Sequence, residues 1–266
     1  MSEVASTKTK NRTFKGRYLY CFIDAANANQ AFDIPPVPVP GVEGNNRVYT
    51  VVEGKVAAVV SNSPVVRYPV TRPSLLAHER ILEYVMQRMT TLPVKYGTVA
   101  NSEAELRNDM LLARQEELVA LLERFRNRVE VSVKALWQRE RIFGEIVQQP
   151  HIAELKAKAA ANPQSQNDMI EIGQAVERAL EEARETDTAR ILAYLSPLAV
   201  EVKLNPITLE MLVINAAFLV DNEREAEFDQ AVNALDDEFG ERLTLKYAGP
   251  LPPFNFMSLN LNKEEE

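Results

Sequence analysis

Two hydrophobic periods alternate along this chain, and their order reads as a mixed protein with both strands and helices. Residues 17–23 (RYLYCFI) are aromatic and β-branched with little polar interruption, the pattern of a buried strand. RVYTVV and KVAAVV flank Glu53 and Gly54 and predict a hairpin, because an acidic-Gly pair supplies the positive backbone angle a tight turn needs. Between that first strand and the hairpin, residues 24–44 carry IPPVPVPG, which favours extended polyproline geometry over helix or sheet. Leu75, Leu82, Val85, Met86 and Met89 form an apolar stripe that predicts a helix over 75–89, with Ser74 at its N-cap. LPVKYGTV follows as a short extended piece. Ser102 and Glu105 then have capping-box spacing and open a long helix reaching residue 127, with Leu111, Leu118, Leu121, Leu122 and Phe125 on one side.

From Val129 the period shifts to two. Val129, Val131, Val133, Ala135 and Trp137 alternate with Glu130, Ser132, Lys134 and Leu136, the signature of a half-buried strand, and a domain boundary is placed just before it. Helical sequence fills 138–194, broken near Pro150 and Pro163 because proline removes a backbone donor and restrains the residue before it. LAVEVKL alternates again, and LEMLVINAAFLV has the unbroken apolar character of a central strand. Asn222 and Glu225 suggest a second capping box, Phe228, Val232, Leu235 and Phe239 recur at helical spacing, and Gly240 is placed to end that helix before RLTLKYA closes as a strand. The second half is therefore βαββαβ. The expected fold class is α+β in two domains, the C-terminal one a modified ferredoxin-like βαββαβ sandwich with a helical insertion. The expected bounds are a disordered tail over 1–16, an N-terminal α+β domain over 17–128, the ferredoxin-like domain over 129–248 and a C-terminal extension over 249–266.

Composition narrows the function classes. With 46% apolar residues, 15 Pro and 9 Gly in 266 positions, the chain is neither low-complexity nor collagen-like. Its single cysteine, Cys21, allows no intrachain disulfide and fits a reducing compartment such as the cytosol. No apolar run approaches the ~20 residues of a membrane span, and the polar, basic start has no apolar segment of the kind a secretory signal needs. The net charge of −8 is unevenly spread: 164–241 hold 18 acidic and 5 basic residues, whereas 1–163 are mildly basic. Such a chain can offer its acidic part to a basic partner, pair head to tail with itself, or simply keep acidic helix faces in water.

Chemistry-bearing motifs are missing. Two histidines and one cysteine cannot assemble a common zinc site, and neither HExxH, a Walker sequence, GxGxxG nor GxSxG occurs. Asp236, Asp237 and Glu238 are consecutive, so on a helix they diverge and read as a solvated end. His78 falls on an apolar stripe and reads as a buried, hydrogen-bonded histidine; Cys21, inside a strand pattern, reads as a small buried residue. No catalytic residue, cofactor or metal ligand is assigned. Arg124, Arg126, Arg128, Arg139 and Arg141 cluster near a ferredoxin-like pattern, which keeps an RNA-binding module open as an alternative, although no basic-Gly-aromatic run for base stacking is present. An enzyme of unrecognised type is the other alternative. Two apolar, Pro-rich strips, 34–42 and 249–261, can present Val37, Val39, Val42, Phe254, Phe256 and Met257 to a protein partner. The competing reading, favoured for the second strip, is that they fold back over the chain's own sheets.

The order HERILEYVM, TLPVKYGTV, a Leu-rich helix, RVEVSVKALW, AAFLV and KYAGPLPPFNF, with RYLYCFI and VVEGKVAAVVS ahead of it, resembles the gas vesicle protein F/L family across nearly the whole chain. The Pro-rich loop after the first strand and the stretch from Pro150 to Pro163 depart from that pattern. The resemblance implies a non-enzymatic accessory or minor structural protein of gas vesicles. It would bind the very hydrophobic major shell protein (GvpA-type), help it nucleate and assemble without aggregating, and contact other gas vesicle accessory proteins. Nucleic acid and lipid membrane are not among the implied partners. Its place would be the vesicle shell and the cytoplasm. F-type and L-type are not separated.

Overall fold

The computed structural model describes residues 14–39, 46–64 and 67–257, so the expected tail up to residue 13 and the candidate Val42 lie outside the described residues. The fold is α+β, with two antiparallel sheets among the described residues. The chain divides into two compact units that meet in sequence between Arg126 and Asn127.

In the first unit, β1 (Gly16–Asp24) is buried along almost its whole length and is the central strand, as its unbroken apolar sequence requires. It pairs with β3 (Val56–Ser63), which pairs with β2 (Val48–Glu53) through the expected hairpin, with Gly54 at φ +57°. The short pieces β4 (Leu92–Pro93) and β5 (Val99–Ala100) pair with β1 on its other side. Helix α1 spans Arg72–Met86, starting earlier than the apolar stripe suggests, because Thr71 rather than Ser74 is the cap: its hydroxyl accepts from Ser74 N at 3.3 Å. Pro73 falls in the first turn, where a missing N–H costs nothing. The long helix expected over 102–127 is interrupted. Ser102 caps α2 (Glu103–Glu105), a π-helical stretch runs Leu106–Leu112, and α3 (Gln115–Arg124) begins after Arg114 leaves helical geometry at ψ 13°.

In the second unit, β6 (Arg128–Trp137) leads into α4 (Arg139–Ile146), α5 (Pro150–Ala161) and the thirty-residue α6 (Gln166–Leu195), then β7 (Glu201–Leu204), β8 (Leu212–Asp221), α7 (Glu225–Phe239) and β9 (Leu243–Leu251). The strands lie antiparallel in the order β7-β8-β6-β9. Val131, Val133, Ala135 and Trp137 meet Ile142, Ile146, Ile152, Ile191, Leu195, Phe228, Val232 and Leu235 in one core, so the helices cover one face of this sheet. The final strand, expected to stop at Ala248, runs on to Leu251, and part of the segment read as an extension belongs to the sheet. Gly249 permits this close passage: a Cβ there would sit 2.7 Å from Val131 Cγ1.

Candidate interaction surfaces and buried polar sites

The described parts of the two Pro-rich strips, 34–39 and 249–257, each fold onto the unit that carries them. Val37 is 2% exposed and Phe256 7%, whereas Phe254 is 41% exposed. Val37 N donates to Tyr20 Oη at 3.1 Å, and Val39 is half-buried against the same core. Asn255 anchors the second strip: its backbone N and Nδ2 donate to the two carboxylate oxygens of Glu130, and its carbonyl accepts from Lys203 Nζ at 2.7 Å. This fixes Phe254 facing outward, Phe256 inward and Met257 half-buried. Burial pushes the Glu130 carboxyl above the usual range, opposed by the two Asn255 donors. Of the strip residues singled out in the sequence, Val37 and Phe256 have almost no side-chain surface left to offer.

The His78 environment is a polar knot inside an aromatic cluster. Val94 O can only accept, so His78 Nε2 carries the proton and donates at 3.0 Å; Nδ1 is then an acceptor for Tyr18 Oη at 3.0 Å. Tyr18 Oη in turn accepts from Gly97 N. Ser63 Oγ donates to Pro64 O and so accepts from Tyr68 Oη, and Tyr20 Oη meets Ser61 Oγ. Burial lowers the His78 pKa to about 4, partly offset by the Val94 carbonyl, so the ring is neutral near pH 7. All its ring hydrogen-bonding capacity is used within the fold. Cys21 is fully buried, and burial pushes its thiol pKa well up, away from a reactive thiolate.

The second unit has a buried ionic node that no motif announced. Asp187 on α6 accepts from Trp137 Nε1 at 2.8 Å and from Arg242 at 2.6 Å, and Arg242 also reaches Glu145 on α4 at 2.8 Å. These contacts tie α4 and α6 to the end of β6 and the start of β9. Asp187 sits among many other acidic helix positions, so spacing does not distinguish it.

The clustered arginines are largely engaged with carboxylates. Arg126 pairs with Glu123, Arg128 with Asp221, Arg139 with Glu210 and Arg141 with Glu241, while Arg124 lies over the Phe125 ring. A depression of about 410 Å³ in the first unit is walled by Val119 and Leu122 and edged by Asp24, Lys55 and Glu123. Asp24 is occupied in accepting from Ala26 N and Glu123 in pairing with Arg126. Among the described residues, no group of three or more His, Cys, Asp or Glu is placed to hold a metal ion, and no helix is long and apolar enough to cross a membrane.

Comparison with known proteins adds a family to this geometry. The family model described as Gas vesicle synthesis protein GvpL/GvpF matches residues 16–258. The chain is 28% identical over 239 residues to gas vesicle protein F of Nostoc sp., covering 86% of this chain and 97% of that one. It is 26% identical over 197 residues to gas vesicle protein F of Dolichospermum flosaquae, covering 73% and 80% of the two chains. The crystal structure of the gas vesicle protein GvpF from Anabaena sp. matches with a TM-score of 0.78 at 26% identity, over 92% of this chain and 99% of that one.

Proposed function

The chain belongs to the gas vesicle synthesis protein GvpL/GvpF family, and from that premise we propose that it is a non-enzymatic accessory protein that binds the hydrophobic major shell protein and assists its nucleation and assembly. The observation that carries this reading is the family match itself, which spans 16–258 and therefore both units. The polar groups in the interior support it. His78, Cys21 and Asp187 are buried and spent on holding the fold, which leaves surface contacts as the means of action. In this reading the second unit is a ferredoxin-like domain carrying a helical insertion, in keeping with its βαββαβ order and β7-β8-β6-β9 sheet. The protein works at the vesicle shell and in the surrounding cytoplasm, alongside other gas vesicle proteins.

Two kinds of surface suit such a partner. Phe254, with Met257 half-buried, offers apolar contact in the second unit, and half-buried Val39 offers a separate apolar contact in the first. The α6 and α7 helices offer carboxylates, since 164–241 carry 18 acidic against 5 basic residues. Pull-down of the full chain with the major shell protein at low and high salt separates them. Retention at both salts points to apolar contact and should weaken in Phe254→Ala; retention at low salt alone points to the acidic helices. Absence of retention at either salt refutes the proposal.

A further inference from the structure

We propose that the helix-free face of the second sheet docks an acidic ridge of α6 from a second copy, so that copies of the chain stack head to tail. Lys134 on β6 lies directly opposite Lys246 on β9. Their strand neighbours Val133, Ala135, Leu245 and Tyr247 turn toward the helix-covered core, so both lysines point to the other face. Both are exposed, and neither ammonium has a hydrogen bond or ion pair among the described residues. Like charges directly opposite one another on a sheet repel. The pair is a local cost to the sheet that an incoming anion removes.

The adjoining positions on this face supply no carboxylate. Lys134 is flanked by Ser132 and Leu136 along its own strand and by Asn215 across on β8, while Lys246 is flanked by Thr244 and Ala248. The next carboxylate along β6, that of Glu130, is bound by Asn255, which lies over that end of the face. Lys203, on the same face, is spent on the Asn255 carbonyl and is not part of the site.

The matching anion stands on the opposite side of the same unit. Helix α6 packs on the Val131 face of the sheet through Ala175, Ala179, Ile191 and Leu195. Glu177, Glu181 and Glu185 recur on it at every fourth residue, all exposed and without an ion pair among the described residues. Arg184, within this run, donates instead to the carbonyls of Leu212 and Glu210. Residues four apart on a helix are about 6 Å from one another, and directly opposed strand residues about 5 Å, so two successive glutamates span the two lysines. The sheet stands between ridge and lysines, so a copy cannot satisfy its own pair, whereas a second copy can. Ridge and lysine face are different surfaces, so the contact is heterologous and leaves one of each free for further copies. Resting on a few exposed ion pairs, it is weak and sensitive to salt.

Sedimentation equilibrium of the full chain up to about 0.5 mM, a range suited to weak association, at about 50 mM and about 500 mM salt, tests the contact through charge reversal. At the lower salt the average mass of wild type should rise with concentration as stepwise addition of copies requires, and at the higher salt it should fall back to the monomer. Lys134→Glu/Lys246→Glu sets glutamates against glutamates, and Glu177→Lys/Glu181→Lys/Glu185→Lys sets lysines against lysines, so each variant alone should associate at least about tenfold more weakly. An equimolar mixture of the two should recover, because the reversed face of the first then meets the reversed ridge of the second, and the intact ridge of the first meets the intact face of the second. Far-UV circular dichroism and Trp137 fluorescence matching wild type establish that each variant is folded. A wild type that stays monomeric at both salts, closes as a dimer or still associates at the higher salt would overturn the proposal, as would a variant that associates as well as wild type or a mixture that fails to recover.

Discussion

Removing the carboxylate of Asp187 should loosen the second unit by an amount that its contacts set. The side chain is 6% exposed and accepts two hydrogen bonds, one from the neutral Trp137 indole and one from the charged Arg242 guanidinium. Net contributions of about 1 and about 1.5–3 kcal/mol are usual for such bonds. Truncation also leaves the indole N–H buried without a partner. Breaking a fully buried ion pair costs about 3–5 kcal/mol, but Arg242 keeps 26% of its side chain exposed and retains Glu145, so water and the second carboxylate offset part of that. The expected loss for Asp187→Ala is about 2–3 kcal/mol. Asp187→Asn keeps the shape and one acceptor but faces the guanidinium with a neutral group, and should lose about 1–2 kcal/mol. Trp137 is the chain's single tryptophan, so its fluorescence during urea unfolding reports this unit alone and senses the altered indole environment directly. The Arg242→Leu variant and the corresponding double variant complete a cycle, in which a coupling above about 0.5 kcal/mol is expected. An Asp187→Ala stability within about 0.5 kcal/mol of wild type would refute the assignment of this node as the clamp that holds α4 and α6 to the sheet.

The first unit should lose stability in mild acid. His78 has a folded pKa of about 4 against an ordinary 6.5, so below pH 6.5 the unfolded state takes up a proton that the folded state refuses until about pH 4. The resulting loss approaches about 3 kcal/mol across that window, and near-UV circular dichroism of the tyrosine cluster during denaturation should show it in wild type and far less in His78→Gln; equal slopes would dismiss the histidine as the cause. Cys21 should resist an aromatic disulfide reagent in the native state and react at the rate the first unit opens, and immediate stoichiometric labelling would contradict its burial. Gly54→Ala should cost about 1–2 kcal/mol in the same unit: φ is +57°, and the new Cβ would displace Gln115 Oε1 from the bond it accepts from Lys55 N. A melting curve unchanged from wild type would mean that the hairpin tolerates a side chain there.

How far the sequence carries depends on whether a feature is periodic. Strand β6 was legible because one face enters a core and the other does not, which imprints an alternation from Val129 to Trp137. The hairpin at Gly54 was legible because its turn needs a backbone angle few residues adopt. The π-helical stretch was not, since Leu106, Met110, Leu111, Leu118 and Leu122 keep helical spacing whether or not a wider turn intervenes. LAVEVKL overstates its strand for a related reason: alternation records faces, not partners, and only Glu201–Leu204 finds a ladder on β8. His78 betrayed its burial by lying on an apolar stripe. Asp187 gave no such sign, because its neighbours on α6 are also acidic and its partners, Trp137 and Arg242, are distant in sequence. The strip residues fall between these cases. Apolarity marked Val37, Phe254 and Phe256 alike, but the pairing of Asn255 with Glu130 decides that Phe254 faces water while Phe256 does not, and a contact between residues 125 positions apart leaves no local trace. The same limit bears on function. Surfaces that bind partners are specified by such nonlocal contacts, so the sequence reaches the family through many weak motifs in order, while the outward-facing phenylalanine emerges only once the chain is folded.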